Sequence, residues 1–127
     1  MTWTTFHRRE DVLGNVIDAI DARRDGLLPM DLPGVVETFG DELSLLGALQ
    51  LRWHTRLSGH LERVLTEHLP ADGEPATAAW RATAEELPGI RSVVDHYRAE
   101  PLDGRMAAAL AVARAKEQSL LAAAAVA

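Results

Sequence analysis

Two ionisable residues interrupt the apolar faces of predicted helices, and they are the strongest candidates for chemistry in the sequence. His60 lies between Leu57 and Val64 on the apolar face of a long helix, and Glu117 interrupts the apolar face of the last helix. A buried imidazole without a hydrogen-bond partner costs about 1 to 3 kcal/mol. We therefore expect His60 to have a partner, and Glu117 lies at a similar depth if the two helices run in the same direction.

The pair has three interpretations, of which the structural one is favoured: a satisfied hydrogen bond in the core, or a polar seam at a subunit interface. Metal binding comes second, because helical bundles hold metal sites built from inward-facing Glu and His. In that hypothesis His60 and Glu117 hold a divalent metal, with His54, Glu67 or His68 as helpers. It is weakened because no ligand-type residue follows His60 or Glu117 at three or four positions. General acid–base catalysis is third.

A row of arginines marks a second candidate site. Arg52, Arg56 and Arg63 lie along one flank of the long helix, while the first helix carries aspartates opposite its apolar side. Solvated surface is the favoured interpretation, since exposed ion pairs add little stability. The alternative is that the arginines bind an anionic group or an acidic helix of a partner, for which the guanidinium fork is suited.

Composition limits the class of protein. The chain has 127 residues, with 21 alanines, 18 leucines, few β-branched residues and no cysteine, which predicts a single all-α domain over residues 1–127. Thiolate metal sites and cysteine nucleophiles are excluded. The net charge of −6 and the absence of a lysine and arginine cluster argue against nucleic-acid binding. No glycine-rich phosphate loop or nucleophile elbow is present, which favours a non-enzymatic protein.

Apolar periodicity and breaker residues place the elements that must position these side chains. They predict helices from residue 6 or 8 to 24, then over 41–69, 75–87 and 103–125, with a short helix over 31–39. Pro88 is expected to break the third helix, with 90–97 as a separate helix in preference to a kinked continuation. Residues 1–5, with Trp3, are expected to form an extended arm.

The simplest packing of these helices is an antiparallel four-helix bundle. The short helix lies between helices 1 and 2, and the proline break lies in helix 3. No apolar segment is long enough to cross a bilayer, so we expect no membrane partner and a cytoplasmic location.

Three segments carry a resemblance to a known group of proteins. Residues 1–9, 49–54 and 80–89 resemble a family of small, uncharacterised actinobacterial proteins, and the resemblance covers most of the chain. That family has no assigned function, so the resemblance implies a bacterial, cytoplasmic protein and brings no catalytic residues.

Surplus apolar surface directs the functional hypothesis. Trp3, Phe6, Trp53, Trp80 and the alanine-rich last helix exceed what a short bundle needs, and a flat alanine face permits close approach of another helix. The sequence therefore predicts a non-enzymatic helical protein that acts through protein–protein contact, as a homodimer. The alternative is a metal- or small-ligand-binding bundle with a buried His/Glu site.

Overall fold

A computed structural model describes residues 3–67 and 74–125 of the chain. These residues form helices and contain no strand, so the all-α prediction is confirmed. In order, the described helices are α1 (Trp3–Arg23), α2 (Val35–Phe39), α3 (Glu42–Glu67), α4 (Pro75–Glu86), α5 (Pro88–Ala99) and α6 (Gly104–Ala125).

Helix α1 begins earlier than the sequence predicts. Its first residue is Trp3, so the expected extended arm is wrong for residues 3–5, while Met1 and Thr2 lie outside the described residues. No glycine or proline occurs before Gly14, so nothing stops the helix from continuing toward the N-terminus. The helix ends one residue before Arg24, which adopts a left-handed conformation with φ of 53°.

The start of α3 follows the predicted cap. The carboxylate of Asp41 accepts a hydrogen bond from the Ser44 amide at 2.8 Å, which is the N-cap arrangement. The described part of α3 ends at Glu67, and the predicted end at Leu69 lies outside the described residues. The short helix α2 begins at Val35, later than predicted, because Gly34 before it has a φ of 84°.

The predicted proline break separates α4 from α5. Leu87 lies between the two helices with an extended φ of −123°, and Pro88 occupies the first turn of α5, where a missing amide hydrogen costs nothing. The next residue, Gly89, contacts α1, where its amide donates to the Asp21 carboxylate at 2.9 Å. A side chain at this position would overlap the α1 backbone.

The core forms two clusters of buried residues. The larger cluster joins apolar residues of α1, α2, α3, α5 and the first half of α6. The smaller one lies between the second half of α3, α4 and the end of α6. Helix α6 runs in the same direction as α3, because Leu43 and Met106 line one cavity near the start of both helices while Trp53 bonds to Glu117 further along.

Candidate functional site

Glu117 lies in the interior, where α6 meets α3 and α5. It is 7% exposed, and its Oε1 accepts a hydrogen bond from the indole Nε1 of Trp53 at 2.5 Å. The guanidinium groups of Arg91 and Arg98 approach its two carboxylate oxygens at 3.8 Å each. A buried carboxylate needs such partners, because an unpaired charge in the interior is costly.

Arg91 connects this carboxylate to the aromatic residues of the core. It is 8% exposed, and its guanidinium lies 4.6 Å from the ring centre of Trp53 and 5.5 Å from that of Trp80. The two indoles meet edge to face. Asp95, one turn further along α5, accepts from Arg91 at 2.6 Å. A planar cation against indole faces is a favourable contact, so the network ties α5 and α6 to the middle of α3.

Among the described residues, the guanidinium of Arg98 has fewer hydrogen-bond partners than that of Arg91. Its Nε is buried and has no hydrogen-bond partner within the part of the chain that the structure describes. Burial, with the nearby charge of Arg91, lowers the pKa of the Arg98 guanidinium, while the charge of Glu117 opposes that change. The carboxylate of Glu117 is therefore shared by two cations, and losing it leaves Arg91 paired with Asp95 alone and Arg98 with less compensation.

His60 has a different partner from the one expected. Its Nε2 lies 2.9 Å from the Glu86 carboxylate on α4, whereas Glu117 bonds to Trp53. The predicted hydrogen bond between His60 and Glu117 is not the one found, because the second half of α3 packs against α4. Trp53 precedes His60 by seven residues on the same helix face, about 10 Å along the axis. The sequence correctly placed His60 on the same helix face as Trp53, but it did not give the position along the helix axis that lies opposite Glu117.

Glu86 also bonds to Arg56, and this pairing predicts a pH dependence. The Arg56 guanidinium, with a smaller contribution from His60, holds the pKa of Glu86 below its ordinary value of 4.5, against a partial opposing effect of burial. Because the pKa of Glu86 is lower in the folded state, its ionised carboxylate stabilises the fold above pH 4.5. This contribution to the unfolding free energy is lost as the pH falls below 4.5. We expect Glu86→Gln to flatten the decline of unfolding free energy below pH 4.5, measured by urea titrations at several pH values. The exposed Glu85→Gln is the matched control; equal slopes for both variants and the parent would contradict the pairing.

The three arginines predicted to flank α3 each lie beside a side chain of the same molecule. Arg52 approaches Glu10 at 3.7 Å, Arg56 bonds to Glu86 and Arg63 lies 3.3 Å from the His60 ring. Their binding of an external anion or partner stays a prediction. Among the described residues, no group of three or more His, Asp or Glu side chains is placed to hold a metal ion. The metal role predicted for His60 and Glu117 likewise stays a prediction.

A surface groove runs between the parallel helices α3 and α6, and we call it the α3/α6 groove. Its middle section has a volume of about 400 Å³ and is lined mainly by apolar side chains. A section of about 210 Å³ continues toward Trp53 and Glu117, and one of about 180 Å³ lies at the start of both helices. The small residues Gly47 and Ala113 line two of the sections, so the helices leave open space between them.

Large apolar side chains lie exposed along this groove. Leu51 is 68% exposed, Val112 69% and Leu102 57%, and each lines a different section. Helix α6 adds exposed alanines at positions 107, 108, 109, 111 and 115, of which 109 lines the groove. Exposed apolar side chains gathered along one groove are typical of interaction sites. The alanine-rich composition of α6 signalled this face in the sequence, but Leu51 and Val112 were missed.

Gln50 is a polar residue near the centre of the groove. It lines both the middle section and the section beside Glu117, and Lys116 lines the same two sections. Its amide Nε2 is buried and has no hydrogen-bond partner among residues 3–67 and 74–125. An unpaired buried donor costs about 1 to 3 kcal/mol.

The two ends of the groove differ in charge. At the start of the helices its lining includes the carboxylates of Asp41, Glu42 and Asp103, with the single cation Arg105. The other end is lined by Lys116 and His54, together with the inward-turned Glu117. The groove is therefore acidic at one end and mainly apolar in the middle, and away from the acidic end the exposed cation Lys116 lines both the middle section and the far end.

Comparison of the chain with protein-family models, with curated proteins and with solved structures finds no match. None of the described helices combines the length and the apolar character needed to cross a membrane.

Proposed function

We propose that this protein is non-enzymatic and acts through protein–protein contact, as a homodimer whose interface is the α3/α6 groove. The observation that carries the proposal is the exposure of Leu102, Val112 and Leu51, one in each section of the same groove. Burying them removes apolar surface from water, the main driving force of association. A second copy is the occupant we favour, because a groove with opposite charges at its two ends is complementary to itself.

Val112→Glu tests the proposal directly. A charge in the middle section must lose its hydration when the groove is covered, and Lys116, one turn further along α6, compensates only part of that cost. We therefore expect the dimer to weaken by at least about 100-fold in dissociation constant, equivalent to about 3 kcal/mol. Sedimentation velocity over a range of concentrations measures the effect. We expect the parent protein to shift from monomer to dimer as concentration rises, while the variant stays monomeric.

The matched control is Val36→Glu. Val36 is also an exposed helical valine, at 51% exposure, but it lies on α2, away from the groove. We expect this variant to dimerise like the parent. A parent protein that stays monomeric at high concentration would overturn the proposal, as would a Val112→Glu variant that dimerises normally.

The alternative function is binding of a metal or small ligand at the His/Glu site of the bundle. It is supported by the section of about 210 Å³ beside Glu117. In its metal form, His60 and Glu117 would be the ligands, and α3 and α6 would have to shift along each other because Glu117 now lies opposite Trp53, about two turns from His60. Elemental analysis of the purified protein, with melting temperatures measured with and without added zinc, iron or manganese, tests that form. No bound metal and an unchanged melting temperature would exclude it.

The proposal also covers the arrangement of the helices, the cellular location and the origin of the protein. The antiparallel four-helix arrangement is supported by the shared direction of α3 and α6, which an up-down-up-down bundle requires of its second and fourth helices. We also propose a cytoplasmic location and the bacterial, actinobacterial origin that the sequence resemblance implies. Neither changes the residues that the interface would use.

A further inference from the structure

We infer that the two copies associate antiparallel, related by a two-fold axis that passes through the middle of the groove. This inference rests on the proposed homodimer and adds its register. Under a two-fold axis, each contact occurs twice, because residue i of one copy meets residue j of the other and the reverse. The acidic end of each groove then faces the basic end of the other.

The charges that set this register are those of half-buried Glu42 and exposed Lys116. Glu42, in the first turn of α3, lines the acidic end, and Lys116 lines the basic end. The apolar middle section provides the affinity, while rim charges mainly select orientation and partner. A parallel arrangement would place the carboxylates of both copies together and both copies of Lys116 together. The antiparallel arrangement replaces two sets of like-charge contacts with two sets of opposite-charge contacts.

The test uses charge reversal at the two ends. In the antiparallel dimer, Glu42→Lys creates two lysine–lysine contacts and Lys116→Glu creates two contacts between glutamates. We expect each single variant to dimerise about tenfold more weakly at low salt. An equimolar mixture of the two variants restores both opposite-charge contacts, so we expect heterodimers with the affinity of the parent. The double variant restores the contacts within homodimers.

The control is Glu62→Lys, the same charge change at an exposed position of α3 that does not line the groove. It should leave the dimer unchanged, and circular dichroism should show all variants folded. High salt should reduce the differences among them, because it screens rim charges.

The outcomes separate this inference from the proposed function. Single variants that dimerise like the parent would overturn the antiparallel register while leaving the homodimer in place, and a mixture that then binds more tightly than the parent would indicate the parallel arrangement. A parent protein without any dimer would overturn both. Single variants that dimerise more weakly, together with an equimolar mixture that recovers the affinity of the parent, support both the homodimer and its antiparallel register.

Discussion

Replacing Glu117 by alanine is expected to lower the free energy of unfolding by about 3 kcal/mol, a large share of the stability of a domain of this size. The carboxylate accepts the indole hydrogen of Trp53 and faces two arginines. Its removal leaves a buried N–H without an acceptor and two partly or fully buried guanidinium groups with less compensation. Urea unfolding followed by tryptophan fluorescence measures the change.

Glu117→Gln separates the hydrogen bond from the charge. The amide oxygen still accepts from Trp53, but the attraction to Arg91 and Arg98 is lost, so we expect about half of the alanine effect. An alanine variant within about 1 kcal/mol of the parent would contradict the network, since that is the size of an ordinary substitution. Equal losses for alanine and glutamine would assign the whole effect to charge.

The second large effect is expected at the contact between α1 and α5. A Cβ at Gly89 would lie 2.5 Å from the Asp21 carboxylate and 2.7 Å from backbone atoms of Ile20 and Asp21. Backbone cannot move aside like a flexible side chain, so Gly89→Ala must push the two helices apart. We expect a loss of about 2 to 3 kcal/mol, at the upper end of the range for overpacked cores. Thermal unfolding by circular dichroism measures it.

Gly59→Ala is the matched control for this substitution. Gly59 is an exposed glycine within α3, and a Cβ there has no neighbour within 4 Å. Alanine favours helix over glycine by about 1 kcal/mol, so this variant should be more stable than the parent. A Gly89→Ala variant as stable as Gly59→Ala would show that the close approach of α1 and α5 is absent.

The sequence predicts local features of this fold well because they depend on neighbouring residues. Asp41 caps α3 and Pro88 separates α4 from α5 as predicted, since a cap and a proline act within one helical turn. The start of α1 was wrong because the sequence contains no signal that ends a helix between Trp3 and Gly14.

The candidate sites were predicted less completely because they depend on how helices pack. The interruption at Glu117 was recognised in the sequence, but its partner depends on the offset between α3 and α6. That offset places Trp53, rather than His60, opposite the carboxylate. The groove depends on the spacing of the same two helices, so periodicity along one helix does not predict it. Leu51 and Val112 are ordinary surface residues until both helices are in place.

The most direct test of the central claim, self-association through the α3/α6 groove, is a series of amide NMR spectra recorded as the protein is diluted. We predict concentration-dependent shifts for the groove residues Gly47, Gln50 and Val112. The amides of Gly59 and Val36, away from the groove, should stay unchanged. Spectra that do not change with concentration, or shifts confined to residues outside the groove, would contradict the account.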